Sequence, residues 1–558
     1  MAARTTSHRT HAVIRRAIQL HADGQFEAAV GVYRNILKKH PRVGVCWVNL
    51  GAALRKLGRK DESLKVLRRG ARICPESLDL NCSLGNALAD SGDLEGALNQ
   101  FRAVLARDPD HLGAAKSCGE ALFRLERFDE AIAHCRRALQ RHPDSPDSAS
   151  LYHLLGGAFS GLRQLEPAAA ALRRAVALGS APSFYRTNLY WHALSKLGHY
   201  AEGERELRLA AAQSPKSPEV LAALGHALIS QGQLDAGLRF CDAALVADRG
   251  HSIARFNRAR ANFLAGRYAA AWRDYSWPLL RHKLWGVPRL AGRAWQGQDL
   301  DGQSILLYGE QGHGDVIQFA RYAPLVARRG AEVVFCCPPR LVSLLQRLPD
   351  VAQVVPKGRS WPRTDWVCLL MDVPGIRGDD LDSIPGACPY LPARARPDPL
   401  LPRPRAFRIG IAWAGNPDQQ QDRQRSCSLA DFAPLFELPG TEFVSLQVGS
   451  RAEEVRMSSW RGLVRELPAE AVPFEATADA LMEIDLVITV DTAMAHLAGA
   501  VGRPVWTLLA FAPDWRWMLE RNDTPWYPTM RLFRQPAPND WTSVFHAVRR
   551  ELAALAVQ

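Results

Sequence analysis

The chain has 558 residues, 47% hydrophobic and 23% charged, with a formal net charge of +13. That length exceeds one hydrophobic core and predicts two to four domains. No apolar run reaches the roughly 18 residues of a membrane helix, MAARTTSHRT lacks the apolar centre of a signal peptide, and eleven scattered cysteines give neither a disulfide framework nor a zinc knuckle, so a cytoplasmic protein without a transmembrane segment is expected.

Charge is unevenly placed: residues 1–70 hold fifteen Lys or Arg against four Asp or Glu. A basic N-terminal surface follows, either a solvated helical face or a contact for an acidic protein or an anionic membrane. No nucleic-acid-binding module accompanies it, so nucleic acid is not an expected partner.

From the N-terminus, small residues recur at Ala17, Gly51, Gly85, Gly119 and Gly156, then at Gly225 and Ala259, with Trp191 in the same series; spacings are 34, 34, 34, 37, 35, 34 and 34. Seven residues after these markers stand Gly24, Gly58, Gly92, Gly198, Gly232 and Gly266. Twenty-four after them stand Pro41, Pro75, Pro109, Pro143 and Pro215. The pattern predicts a helix, a tight turn that favours glycine, a second helix and a terminating proline, about eight times over residues 1–280. Segments such as NLGAALRKLGRKDESLKVLRRGARICP resemble tetratricopeptide repeats. Such repeats stack into an α superhelix whose concave face usually holds a peptide or protein; a scaffold or homo-oligomer built through the repeats is the alternative. An irregularity is expected near Ser145-Pro146-Asp147 and the fifth unit. The positions two before each marker read Arg15, Asn49, Ser83, Ser117, Leu154, Leu189, Ala223 and Asn257, so the asparagine ladder of O-linked N-acetylglucosamine transferases is missing.

A Trp-rich connector, 281–300 with Trp285 and Trp295, leads to a new pattern. In the 301–400 half, Ser304–Tyr308 reads as a strand, GEQGHGD as a Gly-rich turn, VIQFARYAPLVARRG as a helix, Ala331–Cys337 as a strand, Leu341–Arg347 as a helix and Trp366–Met371 as a strand. A Pro-rich linker spans Pro389–Phe407. The 401–558 half then repeats the rhythm: strand Arg408–Trp413, polar loop AGNPDQQQDRQRS, helix from Leu429, strand Glu442–Gln447 and the buried strand Ile484–Val490. That last strand runs directly into Asp491-Thr492-Ala493 and a helix-compatible LAGAVGRPVW, an arrangement that presents N–H groups and a positive helix end to an anion. Two α/β halves imply a ligand cleft at the C-terminal ends of their strands.

GEQGHGDVIQFARY, IGIAWAGNP and DLVITVDTAMAHLAGAVGRPVW resemble the heptosyltransferase-like family 9 branch of GT-B glycosyltransferases, over about residues 300–550. The resemblance implies two Rossmann-like halves, an acceptor side (301–400) and a nucleotide-sugar side (401–558), with Trp541–Val557 packing back across them. With the repeats, the plan resembles bacterial tetratricopeptide glycosyltransferases that modify proteins, notably flagellin glycosyltransferases. It implies sugar transfer from a nucleotide-sugar, a substrate rather than a cofactor, to Ser or Thr of a protein recruited by the repeats. A glycan or lipopolysaccharide transferase and a non-catalytic nucleotide-sugar-binding adaptor are the alternatives.

Transfer requires phosphate binding, charge compensation and a base. For the donor, the candidates are Asp491, Thr492, Ala493 and His496, with Asn416, Arg423, Arg425, Ser426 and Gln447 from the neighbouring strand ends; Asp491 as a mere N-cap is the competing reading. For the base, the resemblance points to Asp315, with helix capping as its alternative, and His313 is second because its ordinary pKa near 6.5 suits proton transfer. Glu310, Gln311, Gly312 and Gly314 complete that turn, and Asp514 and Arg516 of FAPDWRW are placed on the cleft wall. No metal is required: Asp380-Leu381-Asp382 matches Asp-x-Asp only formally.

Overall fold

The computed structural model describes residues 2–556 apart from 146–147, 180, 277–287, 289, 395–405, 420–421, 469 and 471, and the side chains of residues 11–555 among them. The first part of the connector, including Trp285, and the middle of the Pro-rich linker therefore lie outside the described residues. Two compact units result, Met1–Ala193 and Leu194–Gln558.

In the first unit, helices of 13–14 residues alternate with tight turns from Phe26 to Arg141. Each marker glycine serves a close helix crossing. A Cβ at Gly51 would lie 2.7 Å from Leu67, at Gly85 2.5 Å from Phe101 and at Gly156 2.5 Å from Leu172. Across one such crossing the buried Ser63 hydroxyl donates to the Gly51 carbonyl at 2.8 Å. An indole cannot enter the gap that glycine leaves. Where Trp191 takes the marker position, the helix Pro182–Leu189 opens into a π turn, Tyr190–Leu194, and the compact units divide within that turn.

The predicted turn glycines Gly24, Gly58 and Gly92, and Gly198, Gly232 and Gly266 of the second unit, all have φ between 73° and 91°. At two turns without glycine, Glu126 and Arg163 adopt the same left-handed conformation, with φ of 56° and 60°. For a residue with a Cβ this costs about 1 kcal/mol. Glu126→Gly is therefore expected to raise the denaturant midpoint of the repeats by the equivalent of about 0.5–1 kcal/mol; a lower midpoint would show that the Glu126 side chain contributes more than its backbone loses.

The second unit begins with the remaining repeat helices, which run from Ser195 to Tyr275. Two parallel sheets follow. The first pairs β1 (Arg293–Ala294), β2 (Ser304–Tyr308), β3 (Glu332–Cys337), β4 (Gln353–Pro356) and β5 (Trp366–Leu369) in the order β1-β5-β2-β3-β4. The second pairs β6 (Phe407–Ala412), β7 (Thr441–Ser445), β8 (Val464–Glu466), β9 (Leu486–Val490), β10 (Val505–Leu509) and β11 (Met530–Arg534) in the order β11-β10-β9-β6-β7-β8. Each of the inner strands β2 and β6 pairs with its chain successor on one side and with a later strand on the other, β3 and β5 for β2, β7 and β9 for β6. The strand order therefore reverses at β2 and at β6, where a crevice forms beside their ends.

Two expectations need correction. The stretch LAGAVGRPVW is not helical throughout: helix Ala493–Ala500 stops before Gly502 at φ 77°, and Val505 opens β10. Nor does the final helix, Trp541–Ala556, pack back across the halves. Its Trp541, Val544, Phe545, Val548 and Leu552 join Ile409, Trp413 and Phe432 in the core of the second sheet, with Phe545 edge-on to Phe432 at 4.7 Å. Two arginines are among the contacts that join the halves. Arg347 forms a two-pronged pair with Asp479 at 2.6 and 2.9 Å. Buried Arg321 donates to the Trp526 carbonyl at 2.7 Å and to Pro385 at 2.9 Å, and lies over Tyr390 and Tyr527.

Candidate active site

A cavity of about 1600 Å³ opens where the C-terminal ends of β2 and β6 meet the start of helix Ala493–Ala500. From the expected site it takes Gln311, Gly312, His313, Gly314 and Asp315, then Asn416, Arg425 and Gln447, then Asp491, Thr492, Ala493 and His496, and finally Asp514 and Arg516. Glu310, Arg423 and Ser426 do not line it. Glu310 is buried and accepts the Met371 N–H at 3.3 Å. Arg423 is exposed on the helical turn Asp422–Arg425, where a loop was expected. Ser426 accepts the Gly415 N–H at 3.0 Å and so shapes the loop behind the cavity.

On the second-sheet side, β9 is completely buried and ends in polar residues. The helix cap is Thr492 rather than Asp491: its hydroxyl accepts the Met494 N–H at 3.3 Å. Thr492, Ala493 and Met494 line the cavity, so the positive end of the helix borders it. Asp491 sits beside them, and its carboxyl is pushed up to about 6, first by burial and then by the neighbouring Asp514 carboxylate, with Arg425 pulling the other way. A carboxyl raised in the folded state stabilises below its unfolded value of 3.8, and that contribution is lost as pH climbs through about 6. Asp491→Asn is therefore expected to be the more stable protein at pH 8, by about 3 kcal/mol, with the advantage gone at pH 4; thermal unfolding at the two pH values checks it, and equal gains at both would refute the electrostatic origin.

His496 is 5% exposed, stacked on Trp517 at 5.4 Å, with Nδ1 3.0 Å from the Tyr527 hydroxyl. Burial, then Arg516, Arg321 and Arg425, hold its pKa well below 6.5, so the ring is neutral at pH 7. A Cβ on Gly314 would lie 2.8 Å from His496 Cδ2 and 3.4 Å from Ala493 Cα. Glycine is thus what lets the first-sheet turn approach the helix of the second sheet.

Gln447 lines the cavity and commits its side-chain amide to backbone. Its Oε1 accepts the N–H groups of Trp413 and Ala414 at 3.0 and 2.9 Å, and its Nε2 donates to the carbonyls of Ala414 and Val448, both at 3.1 Å. The amide braces the end of β6. Asn416 likewise turns its Oδ1 to the Asp418 N–H at 3.1 Å. Arg425 pairs with Asp422 at 3.3 Å and keeps its guanidinium at the cavity.

On the first-sheet side, helix His313–Phe319 starts at Gly312, whose N–H donates to Asp315 Oδ2 at 2.9 Å. The other Asp315 oxygen is paired with Arg516. Asp315 thus caps the helix and also lines the cavity. Arg516, 4% exposed, also donates to Asp514 at 2.8 Å and to Gln318 at 2.5 Å, and lies 4.4 Å from the centre of Trp515. It is the joint between Gly-rich turn and cleft wall rather than an open sugar ligand. His313 is stacked on Phe474 at 5.4 Å, and its pKa is lowered by burial, then by Arg340 and Lys357.

The sequence reading missed Arg340 and Arg451, which bring further positive charge to the cavity, and Phe474, Phe256 and Tyr275, which give it aromatic walls. Arg340 was findable, because it follows the C-terminal end of β3 by three residues. Phe256 and Tyr275 were not, since both fit the repeat pattern. Asp380, of the formal Asp-x-Asp, caps the turn Leu381–Ser383. Among the described residues no group of three or more His, Cys, Asp or Glu could hold a metal ion, and no helix is long and apolar enough to cross a membrane.

Known proteins share these parts. A tetratricopeptide repeat model matches residues 15–77, 82–146, 192–252 and 223–275, and the glycosyltransferase family 9 (heptosyltransferase) model matches 446–534, the segment that contains β9, the Thr492 cap, His496 and Arg516. Protein FlbA of Caulobacter vibrioides is 26% identical over 554 residues, spanning 93% of this chain and 85% of its own. Cellulose synthase operon protein C of Pseudomonas fluorescens is 25% identical over 37% of this chain and 16% of its own. Among solved structures, a tetratricopeptide repeat protein from Parabacteroides merdae is 14% identical and covers 45% of this chain and 97% of its own, with a TM-score of 0.35. The chain thus combines segments that match tetratricopeptide repeats with a segment that matches the glycosyltransferase family 9 (heptosyltransferase) model, and it is similar to FlbA over 93% of its length.

Proposed function

We propose that this protein is a GT-B glycosyltransferase that moves a sugar from a nucleotide-sugar to Ser or Thr of a protein held by the repeats, with flagellin the acceptor that the sequence resemblance favours. One observation carries the reading: the helix N-terminus at Thr492-Ala493, inside the family 9 match, shares one cavity with the Gly-rich turn that bears Asp315 and His313. In this reading residues 401–558 hold the donor, 301–400 face the acceptor and 1–280 recruit it. The diphosphate lies against the Thr492 and Ala493 N–H groups, with Arg425 offsetting its charge, so that cationic groups and the helix end compensate the leaving phosphate without a metal. His496, neutral, shapes that floor. Asp315 accepts the proton of the attacking hydroxyl, its carboxylate aimed by Gly312 and Arg516; His313 stands beside it as the second candidate.

The test has two stages. Melting of the full chain is followed against UDP-, CMP-, GDP- and ADP-linked sugars, because a ligand that binds only the native state raises the midpoint; the stabilising donor is then incubated with flagellin and the mass of the acceptor is read. Expected are a shift with one nucleotide class and addition of one or more sugar masses. Donor hydrolysis or binding with transfer only to a glycan would move the assignment to a glycan transferase, and no shift with any donor would sink it.

A further inference from the structure

The walls of the cavity are fastened to the repeats at two points. Gln311, the second residue after Gly309 in the Gly-rich turn, has φ 64°, a left-handed conformation that a side chain makes costly. Its Nε2 donates to the hydroxyl of Tyr275 at 2.7 Å. Tyr275 closes the last described repeat helix and is 2% exposed, wedged among Phe263, Trp272 and Trp515. Phe263 in turn stacks on Trp515 at 4.1 Å, next to Arg516. On the donor side, Gln424 lies in the helical turn Asp422–Arg425; its Oε1 accepts the Tyr200 hydroxyl at 2.9 Å and its Nε2 donates to the Ser195 carbonyl at 2.6 Å. Arg425, the next residue, lines the cavity.

We propose that Tyr275 and Tyr200 are positioning residues: the last repeats latch the Gly-rich turn and the Asp422–Arg425 turn so that His313 and Asp315 face Arg425 across the cavity. Neither tyrosine needs to touch the reacting atoms. Each hydroxyl meets one glutamine whose neighbours in sequence are candidate site residues, and the Tyr275 bond supplies what holds Gln311 in a backbone conformation it would otherwise leave. The repeats from Ser195 to Tyr275 are then part of the site as well as a means of recruiting an acceptor. This inference rests on the transferase reading only for its kinetic consequences.

Hydrogen exchange of the full-length protein, without ligand, tests it. In Tyr275→Phe the amides of 310–315 are expected to exchange about 5- to 10-fold faster, the loss of one buried hydrogen bond, while 422–427 keep their protection; in Tyr200→Phe the pattern is reversed. Equal acceleration over the whole chain, with a lower melting midpoint, would mean that both hydroxyls only stabilise the fold and would overturn the proposal. So would unchanged exchange in both loops. Once a donor is known, Tyr275→Phe is expected to lower kcat with KM for the donor unchanged, and Tyr200→Phe to raise that KM. Loop-specific exchange together with an absence of any transfer by the wild-type protein would leave the latches standing and refute the transferase reading instead.

Discussion

Asp315→Asn is expected to lower sugar transfer by about 10²–10⁴-fold, the usual loss when a general base is removed, while the melting shift given by the donor is retained. The substitution is nearly isosteric and keeps one oxygen for the Gly312 N–H, so the turn should hold its shape. His313→Ala is the necessary companion. The ring leans on Phe474 and its pKa is lowered by burial and by the nearby Arg340 and Lys357, so it is neutral at pH 7 and titrates below 6.5. If His313 only contacts the acceptor, its loss costs less than about tenfold and the pH profile of kcat/KM keeps its acid limb. If the larger loss and a vanished acid limb both belong to His313→Ala, the base is the imidazole and Asp315 is a cap. Rates for the two variants between pH 5 and 8 decide the matter.

The repeats were legible because their signals are local and obligatory. A glycine that must adopt φ near 77° cannot be hidden by context, and Gly24, Gly58 and Gly92 all stand where the spacing put them. Buried parallel strands such as Leu486–Val490 were legible for the same kind of reason, since an uninterrupted apolar run ending in polar residues has few other uses. Short strands such as Val464–Glu466 and Gln353–Pro356 escaped, because three or four residues carry no period. Within the site, the sequence located the residues better than their duties. Asp491, Thr492, Asp315 and Arg516 all reached one cavity, but which of two neighbours caps a helix, or whether a glutamine spends its amide on backbone, depends on atoms brought from elsewhere in the chain. Gln447 and the Trp413–Ala414 backbone are more than thirty residues apart, and nothing in either segment announces the other. The final helix shows the same limit. Its apolar face is plain in Trp541, Phe545, Val548 and Leu552, yet only the contact with Phe432 and Ile409 says which sheet receives it.

Arg516→Met is expected to have the largest effect on the stability of the Leu194–Gln558 unit. The guanidinium is 4% exposed and serves Asp315, Asp514 and Gln318 at once, with its flat face on Trp515. Methionine fills much of the volume but leaves two carboxylates facing each other without a cation. Removing one partner of a buried ion pair typically costs about 3–5 kcal/mol, because the remaining charge is uncompensated rather than because the pair itself was worth that much. That distinction gives the decisive control. Arg516→Met combined with Asp315→Asn removes one charge of each sign, so the double variant should recover part of the lost stability, and its cost should be smaller than the sum of the two single costs. The same loss has an electrostatic signature inside the cavity. Arg516 lowers the Asp491 carboxyl and the His496 imidazole alike, so both should titrate higher in Arg516→Met than in the wild type. Denaturant unfolding of the three variants, with NMR titration of His496, measures each part. Strictly additive costs and an unmoved His496 would show that Arg516 acts through packing on Trp515, and that the carboxylates on either side of the cleft are independent of it.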